Sequence, residues 1–307
     1  MNNNILVTGA DGFIGKHLLK YLSNKKDKLF GSFYKKKNFI NNKKIKYVKC
    51  DFRNSSQITN VIKKIKPRII FHLAAKSHPT FSFKNPIETL ETNIMGTAKL
   101  LEACKKYNPK TKIIIACSSA QFGAKTKKKL PIHEESESFP EHIYGFSKLI
   151  QNLLTKQYYK MYNLKVCNAI IFNTSGPGKN FDVFQDICKQ FKKKRSGNKI
   201  NIKVGNLNNL RDFSHVEDVV NALIKISIKG LPGESYIISS NQLTKVAKII
   251  NIIETFFNKK IILKKDKKLL RTFDEKYILG SNKKIRKIGW TPKKKFKDIV
   301  LDTINNE

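Results

Sequence analysis

Apolar positions along this chain follow two alternating rhythms. Short runs rich in Ile, Val and Phe predict strands at 4–8, 29–33, 45–49, 68–73, 112–117 and 165–172. Between them, apolar residues recur every three to four positions and predict helices at 12–23, 55–65, 88–107 and 142–162. Strand and helix in regular alternation predict a parallel α/β sheet. Pro86 stands just before the third helix, where its missing N–H does no harm. Past Phe172 the rhythm loosens. Residues 174–179 read as a turn, followed by a helix near 182–194 and a strand near 201–204. A helix at about 215–228 is expected to return to the main sheet, ahead of a strand at 235–238. A helix near 244–257, a strand at 261–264 and two terminal helices complete the chain. The pattern implies a main domain, residues 1–172 plus about 212–240, and a smaller lobe, about 173–211 plus 241–307.

Composition narrows the class. With 307 residues and 40% apolar content the chain can bury a large core. No apolar run approaches the ~20 residues needed to span a bilayer. The first strand begins by Asn4, which leaves no room for a signal peptide. Five cysteines with no Cys-x-x-Cys spacing read as reduced packing residues, and the expectation is a cytoplasmic protein. The net charge of +38 invites a nucleic-acid reading. However, the lysines are scattered, at 35–37, 127–129, 192–194 and 293–295, with no interleaved aromatic platform. Only six of the 61 basic residues are arginine, the residue that reads bases bidentately. A solvated basic surface is expected, with weak salt-sensitive attraction to polyanions but no specific nucleic-acid partner. The histidines show no metal spacing, and no metal is expected.

Chemistry enters with Gly9-Ala10-Asp11-Gly12-Phe13-Ile14-Gly15, which follows a strand and opens a helix. Glycines at this spacing allow a tight turn, close approach to a pyrophosphate and close helix–strand packing. The helix N-terminus adds N–H donors and a positive dipole. The sheet is therefore expected to be a doubly wound, Rossmann-type α/β sheet binding a dinucleotide, with the smaller C-terminal α/β lobe holding substrate. Where an acid would hold a free ribose hydroxyl, the second strand ends in Tyr34-Lys35-Lys36-Lys37, which favours NADP(H) over NAD(H). Asp51, just after the third strand, could accept from the adenine amino group. The small residues of Leu73-Ala74-Ala75 would let the cofactor lie close to the fourth strand.

Tyr144 and Lys148 lie one helical turn apart, on one face. An ammonium beside a phenol is expected to lower a pKa of about 10 and make the tyrosine a proton donor and acceptor near neutral pH. Ser118 and Ser119 end the fifth strand, pointing to the same crevice, where a hydroxyl could donate to a substrate carbonyl. Arg211 and Arg271 lie in the outer lobe and are candidates to clamp phosphates. Asp218 reads as a capping or structural aspartate.

Taken in order, these residues resemble an extended short-chain dehydrogenase/reductase of the NAD(P)-dependent nucleotide-sugar epimerase/dehydratase group. The likeness also takes in His72, Asn93-Ile94-Met95-Gly96-Thr97, Asp212-Phe213 and Gly289-Trp290-Thr291-Pro292, and covers nearly the whole chain. Residues 172–179, 211–220 and 270–290 are similar to GDP-4-keto-6-deoxy-mannose reductases. Ala75-Lys76-Ser77-His78 with Ser82-Phe83 is closer to GDP-mannose 4,6-dehydratases.

The resemblance implies Ser118, Tyr144 and Lys148 as the catalytic set. It implies a cofactor site of Gly9, Asp11, Gly12, Phe13, Ile14, Gly15, Lys35, Asp51, Phe52, Leu73, Ala74, Ala75, Asn93, Tyr144, Lys148 and Phe172. Ser119, Asn173, Lys179, Arg211 and Arg271 would meet the substrate. The related dehydratases carry a glutamate two residues after the catalytic Ser/Thr as base at C5, and here that position is Ala120. Gln121 would point to the other face of an extended segment. The implied activity is NAD(P)H-dependent reduction at C4 of a nucleotide-linked 4-keto-6-deoxy-hexose, GDP-linked by the resemblance, for surface polysaccharide, with 4,6-dehydratase or 4-epimerase as the alternative. A homodimer through a four-helix bundle of the helices at 88–107 and 142–162 is implied as well.

Overall fold

The computed structural model describes residues 3–35, 39–180, 182–194, 196, 199–270 and 275–306. Six strands build up the sheet in chain order: β1 Asn4–Thr8, β2 Lys28–Phe33, β3 Ile45–Lys49, β4 Ile69–His72, β5 Lys112–Ser118 and β6 Val166–Ile171. A seventh, Ser235–Ile238, closes one edge, giving the order Ser235–Ile238, β6, β5, β4, β1, β2, β3. Every neighbouring pair is parallel. Helices cover both faces, so the central strands are apolar throughout: β6 is buried at all six positions. One face packs Ile5, Val7, Leu29 and Phe71 against Leu18 and Leu22 of α1 (Phe13–Leu22) and Val219 and Leu223 of helix Val216–Lys229. The other packs Leu6, Ile70 and Ile115 against Ile58 and Ile62 of α2 (Ser55–Ile65) and Leu100, Leu101 and Cys104. This is the doubly wound sheet that the alternation predicts, and its order reverses between β1 and β4, where such sheets bind ligands.

The third helix differs from expectation. In place of one helix over 88–107 there are Pro86–Leu90, a π turn at Glu91–Met95 and Gly96–Tyr107, and an unpredicted short helix, Pro79–Lys84, precedes them. Pro86 cannot donate in a continued helix, and Asn85 leaves helical geometry just before it. The π turn carries Asn93, whose amide is drawn to the loop after β4: Oδ1 accepts from Lys76 N at 2.8 Å and Nδ2 donates to Lys76 O at 3.2 Å.

A second core, of Phe184, Phe191, Ile202, Phe213, Ile249 and Val300 among others, lies in the outer part of the chain. It sits on two small sheets. One pairs Leu210–His215 with Asn173–Ser175, Leu243–Lys245 and Tyr277–Ile278; the other pairs Lys199–Val204 with Lys260–Lys265. Three features depart from the predicted elements. The turn at 174–179 begins inside strand Asn173–Ser175, residues 210–215 form a strand, and the helix near 244–257 starts only at Lys248. These strands are two to six residues long and pair across 30 residues or more, too short and too non-local for periodicity to reveal. Phe213 belongs to the outer core, whereas Ile285 and Trp290 pack on the main sheet. Residues on either side of the expected divisions at 212 and 241 thus pack with the other core.

Asp212 locks the junction. Its carboxylate accepts from Ser240 N at 2.7 Å, Ser240 Oγ at 2.6 Å, Asn241 N at 2.9 Å and Gly280 N at 3.4 Å, and burial pushes its pKa up to about 6. Asp218 serves similarly, accepting from Lys293 N and Lys294 N at 3.0 and 2.9 Å.

Candidate active site

Gly9 sits at φ +64°, where an added Cβ would lie 2.9 Å from Ala74 N. A Cβ on Gly15 would run into Gly9 O. Both close approaches require glycine: the first keeps the loop against the end of β4, the second lets α1 start directly under it. The loop then presents the N-terminus of α1 beside Leu73, Ala74 and Ala75. That cradle fits the pyrophosphate of a dinucleotide.

Thr8 holds the floor of the crevice. Its Oγ1 accepts from Leu73 N at 3.1 Å and Ala74 N at 3.0 Å, and donates to His72 Nδ1 at 2.9 Å. His72 Nε2–H then donates to Thr97 Oγ1 at 3.1 Å, and Thr97 donates to Asn93 O at 2.6 Å. Gln151 Nε2 closes the chain onto Thr97 Oγ1 at 2.6 Å. Burial pushes His72 down to about 3, so it is neutral and structural. This network joins the β4 loop to the Tyr144 helix, Ile143–Tyr162. Thr8 and Gln151 were missed in the sequence, and His72 and Thr97 entered only through the family likeness; the packing of four elements is what makes them a chain. Asn93 adds a third tie, donating from Nδ2 to Ser147 Oγ at 2.9 Å.

The Tyr144 helix begins at His142, whose Nδ1 caps it by accepting from Gly145 N at 2.9 Å. The same imidazole stacks on Tyr144, with ring centroids 6.0 Å apart. Tyr144 is 9% exposed and Lys148 3% exposed. Lys148 Nζ donates to Ala116 O of β5 at 2.8 Å and lies 5.8 Å from the Tyr144 ring centre. Ser118, at the end of β5, hydrogen-bonds the Tyr144 phenol. Ser118, Tyr144 and Lys148 thus meet at the C-terminal edge of the sheet.

The electrostatics differ from the expectation. Burial pushes Tyr144 up to about 12, and the Ser118 hydrogen bond offsets only part of this. Burial also pushes Lys148 down to about 8. Desolvation dominates both groups, the phenol is not lowered as the spacing suggested, and it keeps its proton at neutral pH.

Residues 119–122 also depart from expectation: they form a 3₁₀ turn, not an extended segment. Gln121 is buried in it, and Ala120 offers no acid–base group. Ser119 stands half-buried beside Ser118.

Around the cofactor crevice, Asp11, Phe13 and Ile14 are half-buried on the loop, and Gly12 is exposed. Lys35 lies at the end of β2 with Nζ 5.5 Å from the Tyr34 ring centre; its neighbours Lys36 and Lys37 lie outside the described residues. Asp51 spends its carboxylate on Arg53, whose Nε and Nη2 donate to it at 2.8–3.2 Å and hold its pKa below the usual range. Phe52 packs on His72, ring centroids 5.0 Å apart. Phe172 is the exception among the expected cofactor residues. Its ring fills the core against Gly280, because residue 172 directly follows a strand buried at every position.

Asn173, two residues beyond the Ile171 that pairs with Ser118, opens a cavity of about 180 Å³ in the outer lobe. Lys179 and Arg211 line it too, so three of the five expected substrate residues share one wall. Lys179 pairs with Asp182 at 2.9 Å and donates to Thr174 O; Arg211 Nη2 donates to Glu275 O at 3.0 Å. Arg271 lies outside the described residues. His17, unsuspected in the sequence, ties the two parts together: its Nε2 on α1 donates to Pro177 O at 2.9 Å.

A doubly wound sheet with this glycine cradle and a Ser/Tyr/Lys set defines the extended short-chain dehydrogenase/reductases, the nicotinamide-dependent nucleotide-sugar enzymes. Within them, residues 6–303 match the GDP-mannose 4,6 dehydratase family, and the chain belongs to that family. It is 27% identical over 297 residues to GDP-6-deoxy-D-mannose reductase from Pseudomonas aeruginosa, covering 95% of this chain and 93% of that one. It is similar to the structure of RMD from Pseudomonas aeruginosa complexed with NADPH, with TM-score 0.84, 25% identity and coverage of 99% and 98% of the two chains. The same holds for dTDP-glucose 4,6-dehydratase from Bacillus anthracis in complex with NAD, with TM-score 0.82, 25% identity and coverage of 98% and 95%.

Proposed function

We propose that this protein reduces the C4 keto group of a GDP-linked 4-keto-6-deoxy-hexose, using NADPH in preference to NADH. The observation that carries this reading is a protonated, buried Tyr144 beside Ser118, with Ala120 where a C5 base would stand. Carbonyl reduction asks for one proton at the C4 oxygen, and Tyr144 holds one at neutral pH. Ser118 donates to the same oxygen as charge develops there. Lys148 orients the nicotinamide ribose. When bound, the cofactor supplies the reducing equivalent. Asn173 positions the sugar, and Lys179 and Arg211 meet the diphosphate at the cavity they line. Arg271 is proposed for the same role on sequence alone. A dehydratase would have to abstract the C5 proton, and Ala120 supplies no group for that. The main domain carries the cofactor and the outer lobe the nucleotide sugar.

The purified protein with GDP-4-keto-6-deoxy-mannose is expected to oxidise NADPH. Release of a 4-keto sugar from GDP-mannose instead would identify a dehydratase, and exchange of C4 epimers without net cofactor oxidation an epimerase. The pH profile tests the site itself. Lys148 carries its charge below about pH 8 and loses it as the pH rises, while Tyr144 is still protonated. Because kcat/KM reports the free enzyme, it should fall above about pH 8, and Lys148→Arg should move that limb to higher pH. A flat profile to pH 10 would contradict the assignment.

A homodimer is part of the reading. Ile87, Met95, Phe146 and Leu153 are exposed on the helical segments at 86–107 and 143–162, more than isolated surface apolar residues require. Light scattering should give twice the monomer mass, and Met95→Glu with Leu153→Glu should halve it. A monomeric parent would refute the dimer. The five cysteines are buried and none is in a disulfide, which suits the reducing cytoplasm.

A further inference from the structure

Near the end of β2 lies a charged cluster that the catalytic chemistry does not use. Tyr34 is 37% exposed, and three cations stand within 6 Å of its ring centre: Lys35 Nζ at 5.5 Å, Arg53 Cζ at 5.0 Å and Lys76 Nζ at 5.9 Å. They come from three separate segments, after β2, β3 and β4, so the fold and not a lysine run brings them together. Arg53 and Lys76 are partly buried, at 31% and 26% side-chain exposure. Arg53 Nη2 donates to the Tyr34 hydroxyl at 2.7 Å, and Lys99 Nζ donates to Arg53 O at 2.6 Å.

The facing anions are Asp51 and Glu88. Asp51 occupies the Nε edge of Arg53. Glu88 pairs with Lys76 at 2.8 Å and reaches Arg53 Nη1 only at 3.4 Å. Four cations therefore face two carboxylates, and the Nη1 end of Arg53 keeps donor capacity for an incoming anion. A dinucleotide on the Gly9 loop lays its adenosine along this edge of the sheet.

We infer that Arg53 and Lys76, with Lys35, form the subsite for the 2′-phosphate of the dinucleotide, Arg53 offering the N–H donors of its Nη1 end, Lys76 a point charge and Glu88 an opposing carboxylate. This rests on the NADP(H) reading and deepens it: selectivity comes from residues after β3 and β4 as well as from the lysines after β2.

Calorimetric titration of the full chain with 2′,5′-ADP and with 5′-ADP tests this without turnover. The parent should bind 2′,5′-ADP at least ~10-fold more tightly than 5′-ADP, as charge-assisted bonds of this kind allow. Arg53→Met and Lys76→Met should each remove most of that preference and leave 5′-ADP within about 2-fold. Glu88→Gln should tighten 2′,5′-ADP alone. Lys76→Met removes no contact to Asp51 and guards against a folding artefact in Arg53→Met. Preference retained in both Met variants, or equal loss of both probes, would overturn the assignment while leaving an NADP(H) enzyme intact. A parent that does not prefer 2′,5′-ADP would overturn the NADP(H) reading and the subsite with it, without touching the carbonyl chemistry.

Discussion

Tyr144→Phe is expected to lower kcat by roughly 10²–10⁴-fold, the range a positioned general acid contributes. The substitution keeps the ring that stacks on His142 and lies beneath Lys148 Nζ, and deletes only the hydroxyl. The helix cap at His142, the Thr8–His72–Thr97 network and the Gly9 loop do not depend on that hydroxyl. Dinucleotide affinity should therefore fall far less than the rate, and the melting temperature should move little. Stopped-flow single-turnover rates alongside fluorescence titration of the cofactor separate the two effects. A variant that turns over at the parent rate would remove Tyr144 from the chemistry. A variant that loses cofactor affinity and rate in equal measure would reduce it to a ribose contact. Ser118→Ala should cost less, because the phenol still holds the transferable proton while one donor to the C4 oxygen is gone.

Gly15→Val is the second large effect, and it acts through geometry alone. Its Cβ would collide with Gly9 O and approach Ala10 Cα at 3.1 Å, and both belong to the loop that must cradle the cofactor. Neither is the flexible end of a side chain, so the backbone has to shift. Overpacking of this kind costs about 1–3 kcal/mol. Displacing the loop N–H groups should weaken dinucleotide binding by roughly 100-fold, equivalent to about 3 kcal/mol. Differential scanning fluorimetry with and without cofactor is the measurement: the expected result is a lower melting point that cofactor no longer raises. Gly178→Ala is the contrast. It has φ +79° but nothing within 4 Å of an added Cβ, so only local backbone strain is expected and cofactor binding should survive. Parent-like cofactor stabilisation in Gly15→Val would show that the close approach is not required.

Much of the main sheet was legible locally. Residues 4–8, 45–49 and 235–238 are strands at the predicted bounds, and helix Ser55–Ile65 begins and ends where its periodicity does. Asn54 caps that helix through its side chain, a signal carried by one residue. The glycine loop is legible for the same reason: positive φ at Gly9 and the contact of Gly15 with its own loop are properties of seven consecutive residues. Family membership follows from these motifs in order, and the comparison over residues 6–303 bears it out.

The outer lobe was harder to read because its strands pair across long separations. Asn173–Ser175 becomes a strand only beside residues 213–215, and Tyr277–Ile278 only beside residues 210–211. The electrostatics were hidden for a related reason. Spacing places an ammonium near a phenol, but it does not say how much water remains around either. Local sequence alone determined most strands and helices of the main sheet and the cofactor loop, since these rest on periodicity and turn chemistry within a few residues, whereas the Ser/Tyr/Lys set was named from the family likeness. Tertiary structure alone decided that Tyr144 keeps its proton, that Arg53 and Lys76 meet at Tyr34, and that Asn173, Lys179 and Arg211 share a cavity, because burial and charge proximity depend on elements distant in the chain.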